Sequence, residues 1–205
     1  MNTQLETASP DSPDAHHGEF LRAFFRNSAH VGAIAPSSGE LSAILADSVD
    51  WSTAKCVIEY GPGTGVVTTE VAKRLGGDTR FFAIERDPKL AAITRKRCPG
   101  IEVVEDCVTN VPALCRERGI DRVDAIVSGL PWASFSPELQ DAALAATFEV
   151  LPEGGSFATF AYWQGLLLPA GQRFRRFLKD HFSSVERSRT AWRNLPPAFV
   201  YQCVR

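Results

Sequence analysis

Three glycines and three acids are the residues whose types and spacing can do chemistry. Val57-Ile-Glu-Tyr-Gly-Pro-Gly-Thr-Gly65 carries an apolar stretch through Gly61, Gly63 and Gly65 into Val66-Val-Thr-Thr69. Glycines there let the backbone turn tightly and come close to a ligand, and a following helix presents unpaired N–H groups. Glu85 stands 20 residues beyond Gly65, at the end of a second apolar stretch. A carboxylate at that point can accept both hydroxyls of a ribose. Asp106 follows a third apolar stretch, where it can accept a hydrogen bond from an amino group on a base. Glu59, next to the glycines, is awkward beside phosphates and suits a ligand bearing an ammonium group.

These residues need strands to hold them, and the chain alternates in the required way. Cys56–Tyr60, Arg80–Ile84, Ile101–Val104, Val123–Val127 and Ser156–Tyr162 read as strands. Helices are expected over Thr68–Leu75, Pro88–Arg97, Val111–Glu117, Pro137–Val150 and Gln172–His181. Strands alternating with helices imply an α/β fold with a doubly wound, mostly parallel, Rossmann-like sheet. Ser184–Thr190 and Phe199–Val204 close the chain with a short link, so they are expected to pair antiparallel. Ahead of the first strand, Ser37-Ser-Gly-Glu40 has the spacing of a capping box, with Ser37 as N-cap. Three regions follow: a polar tail over 1–18, an N-terminal helical segment over 19–50 and a main domain over 51–205.

The chain has 205 residues, 44% of them hydrophobic, which supports a sizeable core and excludes global disorder. The formal net charge is −2, which excludes a wholesale basic nucleic-acid binder. Residues 171–205 nevertheless carry eight Lys or Arg against two acids, a basic end on an acidic body. Such an end points to an anionic partner. The five cysteines form no C-x-x-C pair, so neither zinc nor a disulfide framework is expected, and a reducing cytoplasm fits best. No signal peptide is visible, and the uncharged stretch 154–172 is broken by glycines and a proline, so membrane contact is expected to be peripheral.

NAD competes for the glycine turn, but its G-x-G-x-x-G spacing fails because Val66 stands where the last glycine belongs. Glycine loop, ribose acid and an acid near an amino-acid moiety instead describe S-adenosylmethionine. Glu59-Tyr-Gly-Pro-Gly-Thr-Gly65 resembles the first motif of the class I S-adenosylmethionine-dependent methyltransferases. Within them the chain looks like the small bacterial phospholipid N-methyltransferases, and it is similar to the ribosomal RNA adenine dimethyltransferases. The resemblance implies the glycine loop around the methionine part, Glu85 on the ribose and Asp106 near the adenine, with Arg86, Cys107 and Ser128 in the same cofactor set. Ser38, 23 residues ahead of Gly61, is expected to hold the methionine carboxylate through its hydroxyl and backbone N–H. No metal is expected, and the product would be S-adenosylhomocysteine.

The acceptor is expected at Ser128-Gly-Leu-Pro-Trp132. The RNA enzymes have Asn-Leu/Ile-Pro-Tyr/Phe there, and Gly129 replaces the Asn that receives the adenine amino group. That departure turns the expectation from nucleic acid to a lipid amine such as phosphatidylethanolamine. An RNA or small-molecule acceptor, and a cofactor-binding module without catalysis, are the other classes. Gly129, Leu130, Pro131, Trp132 and Trp163 form the expected acceptor site, and Tyr162 and His30 are candidate bases. Aromatic faces there attract a substituted ammonium or simply pack a core; for Phe135 packing is the expectation. Phe20, Leu21, Phe24 and Phe25, flanked by Arg22 and Arg26, form one helical face that either docks on an anionic membrane or packs on the fold. Arg173, Arg175, Arg176 and Lys179 add attraction to such a surface. The enzyme would thus be cytoplasmic, peripheral to the inner face of the membrane, and a monomer on the simplest expectation.

Overall fold

The computed structural model of the chain describes residues 38–205. His30, Ser37 and the phenylalanine-rich segment lie outside the described residues. The elements in chain order are α1 (Gly39–Ala46), β1 (Cys56–Tyr60), α2 (Val66–Ala72), β2 (Arg80–Ile84), α3 (Pro88–Arg97), β3 (Glu102–Val104), α4 (Val111–Glu117), β4 (Ala125–Ser128), α5 (Pro137–Val150), β5 (Ser156–Tyr162), α6 (Pro169–His181), β6 (Ser184–Arg187) and β7 (Ala198–Val204). Short 3-10 turns at Val108–Asn110, Trp132–Ser134 and Trp163–Leu167 link them.

One seven-stranded sheet has the order β3-β2-β1-β4-β5-β7-β6. β1 pairs in parallel with β2 and β4, and β5 in parallel with β4. β7 runs antiparallel between β5 and β6. This is the expected doubly wound sheet with an antiparallel end. β1 is buried along its whole length, as a strand covered on both faces must be. Ile58 and Tyr60 face a core with α4, α5 and α6, while Val57 faces one with α1 and α2. Ala83 and Val103 pack on α3 through Ala91. α1, at the end of the N-terminal segment, therefore belongs to the layer that covers the sheet.

Register decides what meets at the strand ends. Tyr60 pairs with Ile84 on one side and Ser128 on the other. The next residues of three strands, Gly61, Glu85 and Gly129, are thereby brought level at the carboxyl edge. The order reverses at β1, since β2 leads one way and β4 the other, and that is where an open α/β sheet leaves a crevice.

The helix starts are set by their caps. Asp87 accepts from Lys89 N–H ahead of Pro88, and Ser136 accepts from Leu139 N–H ahead of Pro137. For α1 the cap is Ser38, whose hydroxyl accepts from Leu41 N–H at 3.2 Å, and not Ser37 as the spacing suggested. Glu40, read as the reciprocal member of that box, pairs with Arg189 at 2.7 Å and accepts from Arg193 N–H at 3.3 Å.

Candidate active site

The glycine turn is held by its own backbone. Gly61, Gly63 and Gly65 have φ of +64°, +60° and +79°, a region that side chains rarely tolerate. Gly61 N–H donates to Ile84 O at 2.9 Å, and Gly129 N–H to Tyr60 O at 2.8 Å. A Cβ on Gly129 would stand 2.6 Å from the Gly61 carbonyl oxygen. Gly129 is thus required by the close approach of the two turns, a reason unrelated to the acceptor role expected for it. Thr94 on α3 braces the loop from below, donating to Gly63 O at 2.9 Å. Sequence reasoning missed Thr94, because nothing in its spacing distinguishes it from a helix residue of the buried face.

Glu85 is bound to the same turn. Its Oε2 accepts from Gly63 N–H and its Oε1 from Asp87 N–H, both at 3.0 Å. Burial raises its pKa, and these two N–H groups pull it partway back. Glu59 is wholly buried beneath the loop, and neither of its oxygens has a hydrogen-bond partner among the described residues. Burial pushes it up to about 8, against a downward pull from Thr68 and with a further upward push from the charge on Glu85. Glu59 lies outside the lining of the crevice that it was expected to face.

Gly61, Glu85, Arg86, Asp106, Cys107 and Leu130 line one crevice. Five of the six are expected cofactor residues; Leu130 was placed with the acceptor. Ile84, Val108, Phe135 and Leu139 complete it, and the expectation had left them out. Phe135 does pack against the core as expected, and it borders the crevice as well. Asp106 Oδ1 accepts from Cys107 N–H at 2.6 Å and from Asn110 Nδ2 at 2.7 Å, so this oxygen also shapes the turn.

Two members of the expected cofactor set do other work. Ser128 is fully buried; its hydroxyl accepts from Leu130 N–H and from the Trp132 indole N–H at 2.8 Å, which fixes the 128–132 turn. Ser38 spends its backbone N–H on Asn194 Oδ1 at 2.9 Å, so the N–H expected for a carboxylate is taken. Asn194 also donates to Pro196 O, and the Trp192–Tyr201 segment is therefore a clamp on the start of α1.

A second cavity, of about 220 Å³, opens on the other side of the 128–132 turn. Pro131, Trp132, Phe160, Tyr162, Phe174 and Tyr201 are among its walls. Trp132 is core at the same time, stacked on Phe174 and edge-on to Phe157. Tyr201 brings a buried hydroxyl with no partner among the described residues. Trp163, expected beside Tyr162, does not line this cavity. The chain turns into a 3-10 helix at Trp163, and its indole donates to Thr190 Oγ1 at 2.8 Å on the outer side. Among the described residues, no cluster of three His, Cys, Asp or Glu converges on one point.

A family model described as a methyltransferase domain matches residues 57–155. The chain is 35% identical over 187 residues to the ornithine lipid N-methyltransferase of Singulisphaera acidiphila, covering 90% of this chain and 93% of that one. It is 36% identical over 83 residues, 40% of this chain and 27% of the other, to a probable ribosomal RNA small subunit methyltransferase A of Thermococcus onnurineus. An O-methyltransferase of Bacillus cereus, solved in complex with SAH, superposes with a TM-score of 0.62 at 15% identity, covering 91% of both chains. The chain belongs to the class I S-adenosylmethionine-dependent methyltransferases. The residues present fit that cofactor: a crevice in which a Cβ on Gly61 would stand 2.4 Å from Leu130 Cδ2, an acid at the end of β2 that lines it, and a buried acid without a partner beneath the loop.

Proposed function

We propose that this enzyme methylates the amine of a membrane lipid. The observation that carries the reading is the acceptor-side cavity, apolar and aromatic, next to exposed apolar residues. Leu167 is 83% exposed and Leu168 is 55% exposed, directly before α6. Trp192 and Leu195 are exposed on the neighbouring segment, which the Trp163–Thr190 hydrogen bond joins to this one. Exposed apolar side chains gathered on adjoining segments mark a surface for a lipid or protein partner. The similarity to an ornithine lipid N-methyltransferase along nearly the whole chain supports a lipid amine over an RNA base. Peripheral docking on an anionic membrane from the cytoplasmic side belongs to the same proposal. No helix among the described residues is long and apolar enough to cross a membrane.

S-adenosylmethionine, when bound, supplies an electrophilic methyl group. Gly61, Glu85, Arg86, Asp106, Cys107 and Leu130 would hold it, with Glu59 beneath the loop. The chain's task is then to present an uncharged amine. A lipid amine with a pKa near that of lysine, about 10, is mostly protonated at neutral pH. Dehydration among Trp132, Phe160 and Phe174 lowers that value, and aromatic faces stabilise the substituted ammonium that forms. Burial raises the pKa of Tyr162, so its phenol stays neutral. In this reading its hydroxyl orients the amine by a hydrogen bond.

The test is incubation of the protein with labelled methyl donor and total bacterial lipid, followed by purified ornithine lipid, phosphatidylethanolamine and ribosomal RNA. Label in an amine-bearing lipid is expected. Label in ribosomal RNA and in no lipid would overturn the proposal.

A further inference from the structure

Beside the acceptor cavity lies a second one, of about 380 Å³, lined by Leu166, Gln172, Arg175, Arg176 and Lys179. Leu166 lines both. α6 is the other shared wall, because Phe174 faces the acceptor cavity while Arg175 faces the basic one. The Arg175 charge acts on the Tyr201 phenol, itself an acceptor-cavity residue, so the two spaces are in electrostatic contact. Several basic residues elsewhere pair with acids, Arg74 with Asp47 and Glu70, Arg118 with Glu102 and Arg189 with Glu40. Arg175, Arg176 and Lys179 pair with no carboxylate among the described residues. Three cations around an open cavity, with an amide beside them, are a setting for an oxyanion, which arginine binds through paired N–H groups.

We propose that Gln172, Arg175, Arg176 and Lys179 form the binding site for the anionic group of the same lipid molecule whose amine enters the acceptor cavity. The inference rests on the lipid-amine reading and deepens it. The substrate class becomes a zwitterionic lipid, with its amine among the aromatics and its phosphate or carboxylate on α6. Its acyl chains leave past Leu167 and Leu168, which follow the shared Leu166. The cluster then does more than attract a negatively charged bilayer.

The test separates these roles by removing the charged bilayer. Amine-bearing lipid is presented in micelles of uncharged detergent, and Arg175→Gln with Arg176→Gln is compared with wild type. The surface KM should rise about tenfold or more, the scale for lost hydrogen bonds to charged groups, with kcat changed far less. Lys96→Gln with Arg97→Gln, an equal loss of charge on α3, should leave KM unchanged. Ornithine lipid and phosphatidylethanolamine distinguish carboxylate from phosphate recognition. Inhibition of wild type, but not of the variant, by inorganic phosphate would show a general oxyanion site. An unchanged KM in micelles, with weaker binding only to anionic vesicles, would overturn the proposal. Should no lipid be methylated by wild type, the lipid-amine reading fails. Calorimetric titration with glycerophosphoethanolamine then decides the site alone: binding lost in the Arg175→Gln, Arg176→Gln variant upholds it, and no binding to wild type overturns it.

Discussion

At the carboxyl ends of β1 and β2 the site is made of backbone; at the carboxyl end of β5 it is made of side chains. On the cofactor side, positive-φ glycines, a Gly129–Gly61 approach with no room for a Cβ, and a glutamate tied to two N–H groups leave little freedom. On the acceptor side, Phe160, Tyr162, Phe174 and Tyr201 come from distant parts of the chain, and the rim carries exposed leucines. Backbone geometry recognises an invariant ligand. A cavity of side chains can be reshaped for a different acceptor without disturbing it.

The sharpest way to break this comparison is to add one methyl group on each side. Gly129→Ala pushes a Cβ against a backbone oxygen, whereas a Cβ on Gly165 would meet nothing within 4 Å. Overpacking costs about 1–3 kcal/mol, and here the strain falls on the cofactor turn. Calorimetry should therefore show S-adenosylmethionine affinity down by about a hundredfold in Gly129→Ala and nearly unchanged in Gly165→Ala. Equal losses in the two variants would mean that the acceptor side is as tightly packed as the cofactor side.

A smaller effect is expected from Glu85→Ala. It leaves the Gly63 and Asp87 N–H groups without their acceptor, at a cost of about 1–3 kcal/mol. Cofactor affinity should fall by about tenfold to a hundredfold on that scale, with no comparable response to NAD in either protein. Unaltered affinity would show that the glutamate holds neither loop nor ligand.

Glu59 gives the cofactor side a pH signature. Its folded pKa of about 8 lies above its ordinary 4.5, so the folded protein retains a proton that the unfolded chain has lost. The associated stability is fully present below about 4.5 and is lost as pH rises through about 8. Thermal unfolding of the cofactor-free protein should show stability falling across this window, with a slope of up to about 1.4 kcal/mol per pH unit. Glu59→Gln should flatten it. A profile identical in both proteins would place the ionisation elsewhere.

The same contrast explains what could be read from the chain. Val57-Ile58 and Ala125-Ile-Val127 announce themselves because strands buried on both faces are continuous apolar runs. The glycines announce themselves because so few residues accept positive φ. The capping-box spacing favours Ser37, with Glu40 three residues on, but the helix starts one residue later and Ser38 is the cap. Trp163 was misplaced because strand alternation stops at Tyr162, where the 3-10 turn begins. Leu130 and Pro131 are neighbours in sequence yet line different cavities, a division made by the turn that Ser128 fixes. Pro131, Trp132 and Tyr162 of the acceptor cavity were legible in the 128–132 motif and at the end of β5, whereas Phe174 and Tyr201 come from other parts of the chain and leave no local signal.

The smallest expected effect concerns the exposed rim. Leu167 and Leu168 contribute little to folding, since both are largely in water, so glutamates in their place should leave thermal stability and cofactor affinity unchanged. Full burial of a leucine stabilises by about 1.5–3 kcal/mol, and partial insertion into a lipid surface by less. New negative charges oppose an anionic surface as well, a repulsion that salt screens beyond about 8 Å. Sedimentation with anionic vesicles should therefore show several-fold weaker binding for Leu167→Glu with Leu168→Glu, and part of the loss should disappear at high salt. If this variant binds as wild type does, the rim is not the docking face. Phe24→Glu with Phe25→Glu then becomes the decisive variant, since those phenylalanines are the other apolar face the chain offers. Loss of vesicle binding there, with cofactor affinity retained, would move docking to the N-terminal segment and leave the rim as a passage for acyl chains alone.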